Sequence, residues 1–197
     1  MPEDKDETLS IIARGDRVIL RKFLASDVDF FIHSLSHGEW RFIGSPWSGY
    51  RTTTTPEQAE KDRIWFMERL DGDEEAYFKR RAVIATLDNI PFGDVSWYKI
   101  DNNPYVWCVG IGIVVDEYLY KGLGTEALRL WVDYLFKTSD KHKLNLETWS
   151  YNPRMIRCAE KVGFVIEGRQ REMRLWQDEW LDFITLGLLR EEWQKNQ

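Results

Sequence analysis

An apolar run, Val109-Gly110-Ile111-Gly112-Ile113-Val114-Val115, leads through Asp116-Glu117-Tyr118-Leu119-Tyr120-Lys121 into Gly122-Leu123-Gly124-Thr125 and an amphipathic stretch. A strand delivered into a glycine-opened helix points backbone N–H groups and a helix N-terminus at one spot. Such a spot suits a phosphate-bearing ligand. Along the run Val109, Ile111, Ile113 and Val115 share one face, and Cys108, Gly110, Gly112 and Val114 share the other. Glycines on the second face permit close approach of another backbone, a helix or an extended ligand. A tight structural corner accounts for them equally well.

Strands and helices alternate through the rest of the chain. Residues 1–15 read as a flexible tail and 16–197 as one domain. A strand is predicted over 17–23, after which Ser26-Asp27 supplies an N-cap and an acidic first turn for a helix carrying Phe30, Phe31 and Leu35. Residues 36–56, with Trp40, Trp47 and Tyr50, read as a loop. Pro56-Glu57 opens a second helix with Ile64, Trp65, Met67 and Leu70 on its apolar side. Strands over 82–87 and 92–100 meet at Asp88-Asn89, a hairpin signal, and Gly93 marks a bulge. Leu128, Trp131, Val132 and Leu135 follow helical spacing, and Leu144-Asn145-Leu146-Glu147-Thr148-Trp149 alternates as a strand. Asn152-Pro153 is a helix start and Gly163 its stop. Closing strands over 164–176 and 180–189 flank Gln177-Asp178-Glu179. The order predicts an α/β fold with a largely antiparallel sheet.

Charge narrows the partners. With 27 basic and 33 acidic residues the net charge is −6, which argues against nucleic acid or an anionic membrane as the main partner. No apolar run approaches membrane-spanning length, and the acidic start Met1-Pro2-Glu3-Asp4-Lys5 lacks the apolar core of a signal peptide. The expectation is a cytoplasmic protein. Cys108 and Cys158 are expected to be buried reduced thiols, and most of the aromatic rings to be core.

Gly122-x-Gly124-x-x-Ala127, with Glu147 about 20 residues on, also matches a dinucleotide fingerprint. There the first glycine makes the tight turn directly after the strand. Here six residues, Asp116 to Lys121, intervene. A P-loop fails for want of Gly-Lys-Ser/Thr. No metal is expected, since no His-Glu-x-x-His or cysteine cluster is present, and His33, His37 and His142 read as surface or capping residues. A Gly-x-Ser-x-Gly nucleophile elbow is missing too.

Two longer segments, Tyr120-Lys121-Gly122-Leu123-Gly124-Thr125-Glu126-Ala127-Leu128 and Asn152-Pro153-Arg154-Met155-Ile156-Arg157-Cys158-Ala159-Glu160-Lys161-Val162-Gly163-Phe164, carry a family resemblance. In this order they resemble the GNAT N-acetyltransferase superfamily, most closely its ribosomal-protein-alanine acetyltransferase-like branch. The tail Gly187-Leu188-Leu189-Arg190-Glu191-Glu192-Trp193 is similar to that branch as well. The resemblance implies a mixed, mostly antiparallel sheet flanked by helices, with acetyl-CoA in a gap between two splayed parallel strands. The pantetheine arm would pair with the strand ending at Val114 and Val115, as an added strand does. The pyrophosphate would sit on N–H groups of Leu119, Tyr120, Lys121, Gly122, Leu123, Gly124 and Thr125, aided by the helix dipole and the Lys121 charge. Asn152 would reach the cofactor arm, or serve only as a helix cap.

The implied reaction is direct attack of an amine on the thioester, with the oxyanion stabilised by an N–H near Val114 or Val115. Asp94 and Glu147 are the candidate bases, each otherwise a solvated strand carboxylate. Trp40, Trp47, Tyr50, Trp97 and Trp149 would shape an acceptor pocket or simply pack the core. Two positions depart from the family pattern. Leu119 stands where Arg or Gln is usual, and Ala159 stands where many members carry a Tyr acid, with Met155 in place of the branch's Ser. Tyr118, Tyr120 and Tyr151 are alternative acids. A thiol of reference pKa about 8.5 leaves as an anion without full protonation, so catalysis survives these losses. The implied acceptor is a small-molecule amine or a protein or peptide amine, and a homodimer fits such folds. The alternative of another class is a non-catalytic acyl-CoA-binding or sensing module.

Overall fold

The computed structural model describes residues 9–45, 47, 51–70 and 77–195. Its eight strands form one sheet: β1 (Ile11–Arg14), β2 (Val18–Arg21), β3 (Arg81–Thr86), β4 (Pro91–Lys99), β5 (Val106–Ile113), β6 (Lys143–Trp149), β7 (Val165–Trp176) and β8 (Glu179–Leu189). They lie in the order β1-β2-β3-β4-β5-β6-β8-β7. The β5–β6 pair is parallel and the other neighbours are antiparallel. The expected mostly antiparallel α/β sheet is what forms.

Among the described residues five α-helices flank it: α1 (Val28–Ser34), α2 (Pro56–Leu70), α3 (Leu123–Thr138), α4 (Pro153–Val162) and α5 (Arg190–Lys195). The larger core joins α3 and α4 to one sheet face, with Leu128, Trp131, Val132 and Leu135 buried against Val95, Val109, Leu144, Leu146 and Leu186. A second cluster on the opposite face packs α1 and α2 over β2 and β3 through Phe31, Ile32, Phe66, Val83 and Ala85.

Local structure corrects several expectations. Residues 11–14 of the expected tail form β1, whose turn into β2 is closed by Gly15 N–H donating to Val18 O (2.9 Å). Asp27 makes no side-chain cap for α1. Its carboxylate instead accepts from Arg21 Nη1 (2.6 Å) and Nη2 (2.7 Å), an ion pair 1 % and 4 % exposed. A buried guanidinium needs such a partner more than a helix needs its cap. On α2 the buried residue is Phe66, whereas Ile64, Trp65 and Met67 are exposed. Phe66, Ala59 and Leu70 are the α2 residues that pack into the second cluster, so Ile64, Trp65 and Met67 turn outward. Gly93 does sit beside a β3–β4 irregularity, and a Cβ there would meet Gly112 O at 2.2 Å. The β7–β8 turn has Gln177 and Asp178 both at positive φ (49° and 64°), the signature of a tight two-residue hairpin.

One feature of the topology makes the site. The parallel β5–β6 pairing extends only over Val106↔Lys143, Trp107↔Leu144 and Cys108↔Asn145. Beyond it β5 continues to Ile113 and β6 to Trp149 without pairing each other. A wedge therefore opens at the centre of the sheet.

Candidate active site

The wedge joins two clefts. One, of about 490 Å³, lies on the helix side between the turn at 118–125 and the N-terminal part of α4; its lining includes Ile111, Leu119, Tyr120, Gly122, Gly124, Thr125, Asn152 and Cys158. The other, of about 320 Å³, is bordered by Tyr98, Gly110, Leu146, Glu147, Trp149 and Phe183. Gly44, Ile111, Asn152 and Met155 line both, so the two clefts adjoin.

In the first cleft the chain leaves β5 through a 3-10 turn (Asp116–Tyr118) and enters α3 at Gly122, which is left-handed at φ 77°. Tyr120 is left-handed as well, at φ 60°. Such turns make a concave nest of N–H groups. Among the described residues, no acceptor pairs with the N–H of Tyr120, Lys121, Gly122, Leu123, Gly124 or Thr125, whereas Glu126 N–H already bonds Gly122 O (3.2 Å). These are the orphan donors of a helix start, which attract an anion. Leu119 does not join them, because its N–H donates to Asp116 O (3.0 Å).

The nest is braced from behind. Glu126 accepts from Arg17 N–H and Nε (2.8 Å each), and Arg17 Nη1 donates to Lys121 O (2.9 Å). Burial alone would raise the Glu126 carboxyl, but the Arg17 bonds hold it below the usual range. Lys121 is not among the residues that line this cleft; its cationic lining is Arg154, Arg157 and Lys161 of α4, three apart and then four apart on one helix face. Arg154 lies over the Tyr120 ring at 4.8 Å. The i, i+3, i+7 spacing of Arg154, Arg157 and Lys161 in the sequence is what marks this basic face. Cys158, expected buried, is half-buried here beside Thr125 Oγ1 (3.5 Å), and burial pushes its thiol up.

Strand alternation settles which β5 groups face the wedge. Val114 N–H donates to Phe92 O of β4 (2.9 Å), so the even-numbered residues turn their backbone toward β4. Val109, Ile111 and Ile113 turn theirs toward the gap, as does Val115 in its extended conformation. The expected role of the Val114 N–H is thereby corrected to its odd-numbered neighbours.

Asn152 Oδ1 caps α4 by accepting from Met155 N–H (3.1 Å), and the residue also lines both clefts. Ala159, at the usual Tyr position, is fully buried in the main core, and Met155 lines the clefts. Tyr118 stacks on Phe92 (4.4 Å) and Tyr120 is 81 % exposed; Tyr151 has a buried hydroxyl.

In the second cleft Glu147 projects from β6 past the last β5–β6 pair, and Tyr98 of β4 donates its hydroxyl to Glu147 Oε2 (3.3 Å). Cys108 lies beside both. Burial pushes its thiol up to about 12, and burial followed by Cys108 pushes the Tyr98 phenol far up, so both stay neutral. Asp94 is placed differently. Its Oδ2 accepts from Arg81 Nη1 (2.6 Å) on β3, a bond set by the β3–β4 register. Trp149 lines this cleft and Trp47 packs edge-on against it (4.9 Å). Trp40 lines the first cleft, Trp97 stacks on Trp107 (3.8 Å), and Tyr50 lies outside the described residues. Among the described residues no group of three or more His, Cys, Asp or Glu could hold a metal ion, and no helix is long and apolar enough to cross a membrane.

The family model for the acetyltransferase (GNAT) domain matches residues 17–165. The chain belongs to the GNAT acetyltransferase family. Among relatives, it is similar to the probable N-acetyltransferase YjcK of Bacillus subtilis, 31 % identical over 134 residues, covering 67 % of this chain and 72 % of the relative. It is also similar to the SPbeta prophage-derived uncharacterized N-acetyltransferase YokL of the same organism, 28 % identical over 72 % of this chain and 76 % of the relative. Among solved structures, spermidine N-acetyltransferase from Vibrio cholerae in complex with CoA and spermine superposes with a TM-score of 0.70 at 20 % identity, over 91 % of this chain and 99 % of that one. At that identity the likeness is one of fold.

Proposed function

We propose that this GNAT protein transfers the acetyl group of acetyl-CoA to a primary amine on a small molecule. The observation that carries the reading is that the two clefts adjoin, with amides that lack an acceptor among the described residues in one and the Glu147 carboxylate in the other. The named relatives are N-acetyltransferases, which favours catalysis over a sensing module. Membership of the ribosomal-protein branch would add peptide N-termini to the acceptors. The spermine complex of the V. cholerae protein favours small amines instead.

The residues present fit the donor. N–H groups of Tyr120, Lys121, Gly122, Leu123, Gly124 and Thr125 would hold its diphosphate, with charge from Arg154, Arg157 and Lys161. The gap-facing backbone of Val109, Ile111 and Ile113 would pair with its amide-bearing arm, and Asn152 Nδ2, not used in the cap, would donate to a carbonyl there. Bound acetyl-CoA supplies a thioester carbon open to attack and a thiolate that leaves readily. An N–H of Ile111, Ile113 or Val115 would stabilise the negative charge that develops on the carbonyl oxygen. Glu147 would take a proton from the acceptor's ammonium, directly or through one water, freeing the lone pair that attacks, with Tyr98 holding the carboxylate in place. Asp94, tied to Arg81, would act on the acceptor's charge rather than on its proton.

Thiol release from acetyl-CoA, followed with spermidine, kanamycin and an alanine-initiated peptide, tests the reading. Turnover with either small amine is expected. Binding of acetyl-CoA without turnover on any of the three would return the protein to the sensing class.

A further inference from the structure

The outer rim of the acceptor cleft holds a cation already. Arg174 of β7 places its guanidinium carbon 4.5 Å from the Trp47 ring centre and 6.0 Å from that of Trp149. Trp47 packs edge-on against both Trp149 (4.9 Å) and Trp176 (5.8 Å), which sets a third indole beside the two that Arg174 faces. Among the described residues no carboxylate pairs with Arg174; the rings are its recorded partners. An exposed arginine held only by indole faces marks a place where the ring quadrupoles favour positive charge.

Its position is imposed by the strand. Between Gln170↔Phe183 and Arg174↔Leu181 the β7–β8 register slips, with Glu172 at φ 54°. Asp182 fixes this bulge by accepting from Glu172 N–H (2.9 Å) and Arg169 Nε (2.5 Å). Arg174 and Trp176 then share a face two residues apart, over the Trp149 end of the cleft. Trp149 in turn lies two residues beyond Glu147 on the same face of β6, about 6.6 Å along the strand. That is the reach of a short alkyl spacer between two nitrogens.

We infer that Trp47, Trp149 and Trp176 form a cation-binding subsite for a second positive group of the acceptor, with Arg174 as its intramolecular occupant. It rests on the amine-acetylation reading and narrows it: the acceptor is a small molecule carrying at least two cationic nitrogens. One reaches Glu147 while the other displaces Arg174 from the indoles.

The test compares kcat/KM for 1,4-diaminobutane with that for n-butylamine, in the wild type and in Trp47→Leu and Arg174→Gln, with CoA binding and melting temperature confirming that each variant is folded. The dication-to-monocation ratio is expected to fall about two- to five-fold in Trp47→Leu, the size of an exposed cation–π contact, and to rise in Arg174→Gln. Ratios unmoved in both variants, or a fall in both, would overturn the subsite. Spermidine and kanamycin as further acceptors distinguish a linear polyamine from an aminoglycoside; insensitivity of both to Trp47→Leu also counts against it. If no amine is acetylated, the function proposed above fails, and equilibrium dialysis of spermidine against the CoA-loaded protein still decides the subsite. Weaker retention by Trp47→Leu supports it, and equal retention overturns it.

Discussion

Tyr98 and Glu147 join β4 to β6 across the mouth of the wedge, through a hydroxyl that donates to Oε2 at 3.3 Å. The strand between them carries Gly110, and a Cβ there would already meet Ser96 Oγ at 2.9 Å. The small face of β5 thus leaves space for a side chain to reach over it. Glu147→Gln is expected to lower kcat by about 10²- to 10⁴-fold, the range for loss of a positioned base. CoA affinity should be preserved. Asp94→Asn should fall well short of that loss, because Arg81 already occupies the carboxylate. Steady-state kinetics of both variants checks the assignment.

Gly122 holds φ 77° at the start of α3, where a side chain is strained by roughly 1–2 kcal/mol. Gly122→Ala should distort the amide nest and raise KM for acetyl-CoA about tenfold, the equivalent of 1.4 kcal/mol. Since no acceptor contact is altered, KM for the amine should move less.

Cys158 and Cys108 should differ in reactivity. Both thiols are pushed up by burial, Cys108 to about 12, but only Cys158 lines the donor cleft. Because the thiolate is the nucleophile, alkylation of Cys158 should be slow at pH 7 and quicken as pH rises. CoA should protect it. Cys108, buried and with its thiol pushed up to about 12, should stay unmodified at neutral pH while the protein is folded. Peptide mass mapping after iodoacetamide treatment reads both.

Two ion pairs should contribute unequally to stability. Asp27→Asn leaves the Arg21 guanidinium, 1 % exposed, without its counter-charge and should cost about 3–5 kcal/mol. Glu126→Gln should cost about 1 kcal/mol, because Arg17 is 54 % exposed and screened by solvent. The folded Glu126 carboxyl lies below its unfolded value of about 4.3. Its contribution is therefore complete above that pH and disappears as pH falls through the lower folded value. Urea titrations of wild type and variant should differ at pH 7 and converge in strong acid.

Local chemistry made much of this molecule legible. Asn152-Pro153 announces α4 because a cap acceptor and a residue without N–H satisfy a helix start within the sequence itself. The glycine nest and the face of α3 were readable for the same reason. What depended on long-range register was not. The ties of Asp94 to Arg81 and of Asp27 to Arg21 arise only when strands align, and the engagement of Val114 follows from β5 pairing with β4. Trp47, Trp149 and Arg174 lie too far apart in the chain for any periodicity to unite them. The strand β1 escaped because four residues beside an acidic start carry too little alternation to distinguish pairing from disorder.

A crystal structure with coenzyme A bound bears most directly on the central claim. The diphosphate oxygens should lie within about 2.7–3.2 Å of N–H groups between Tyr120 and Thr125, with the sulfur in the wedge facing Glu147. A diphosphate seated away from the start of α3, or an arm that bypasses the gap between β5 and β6, would contradict it.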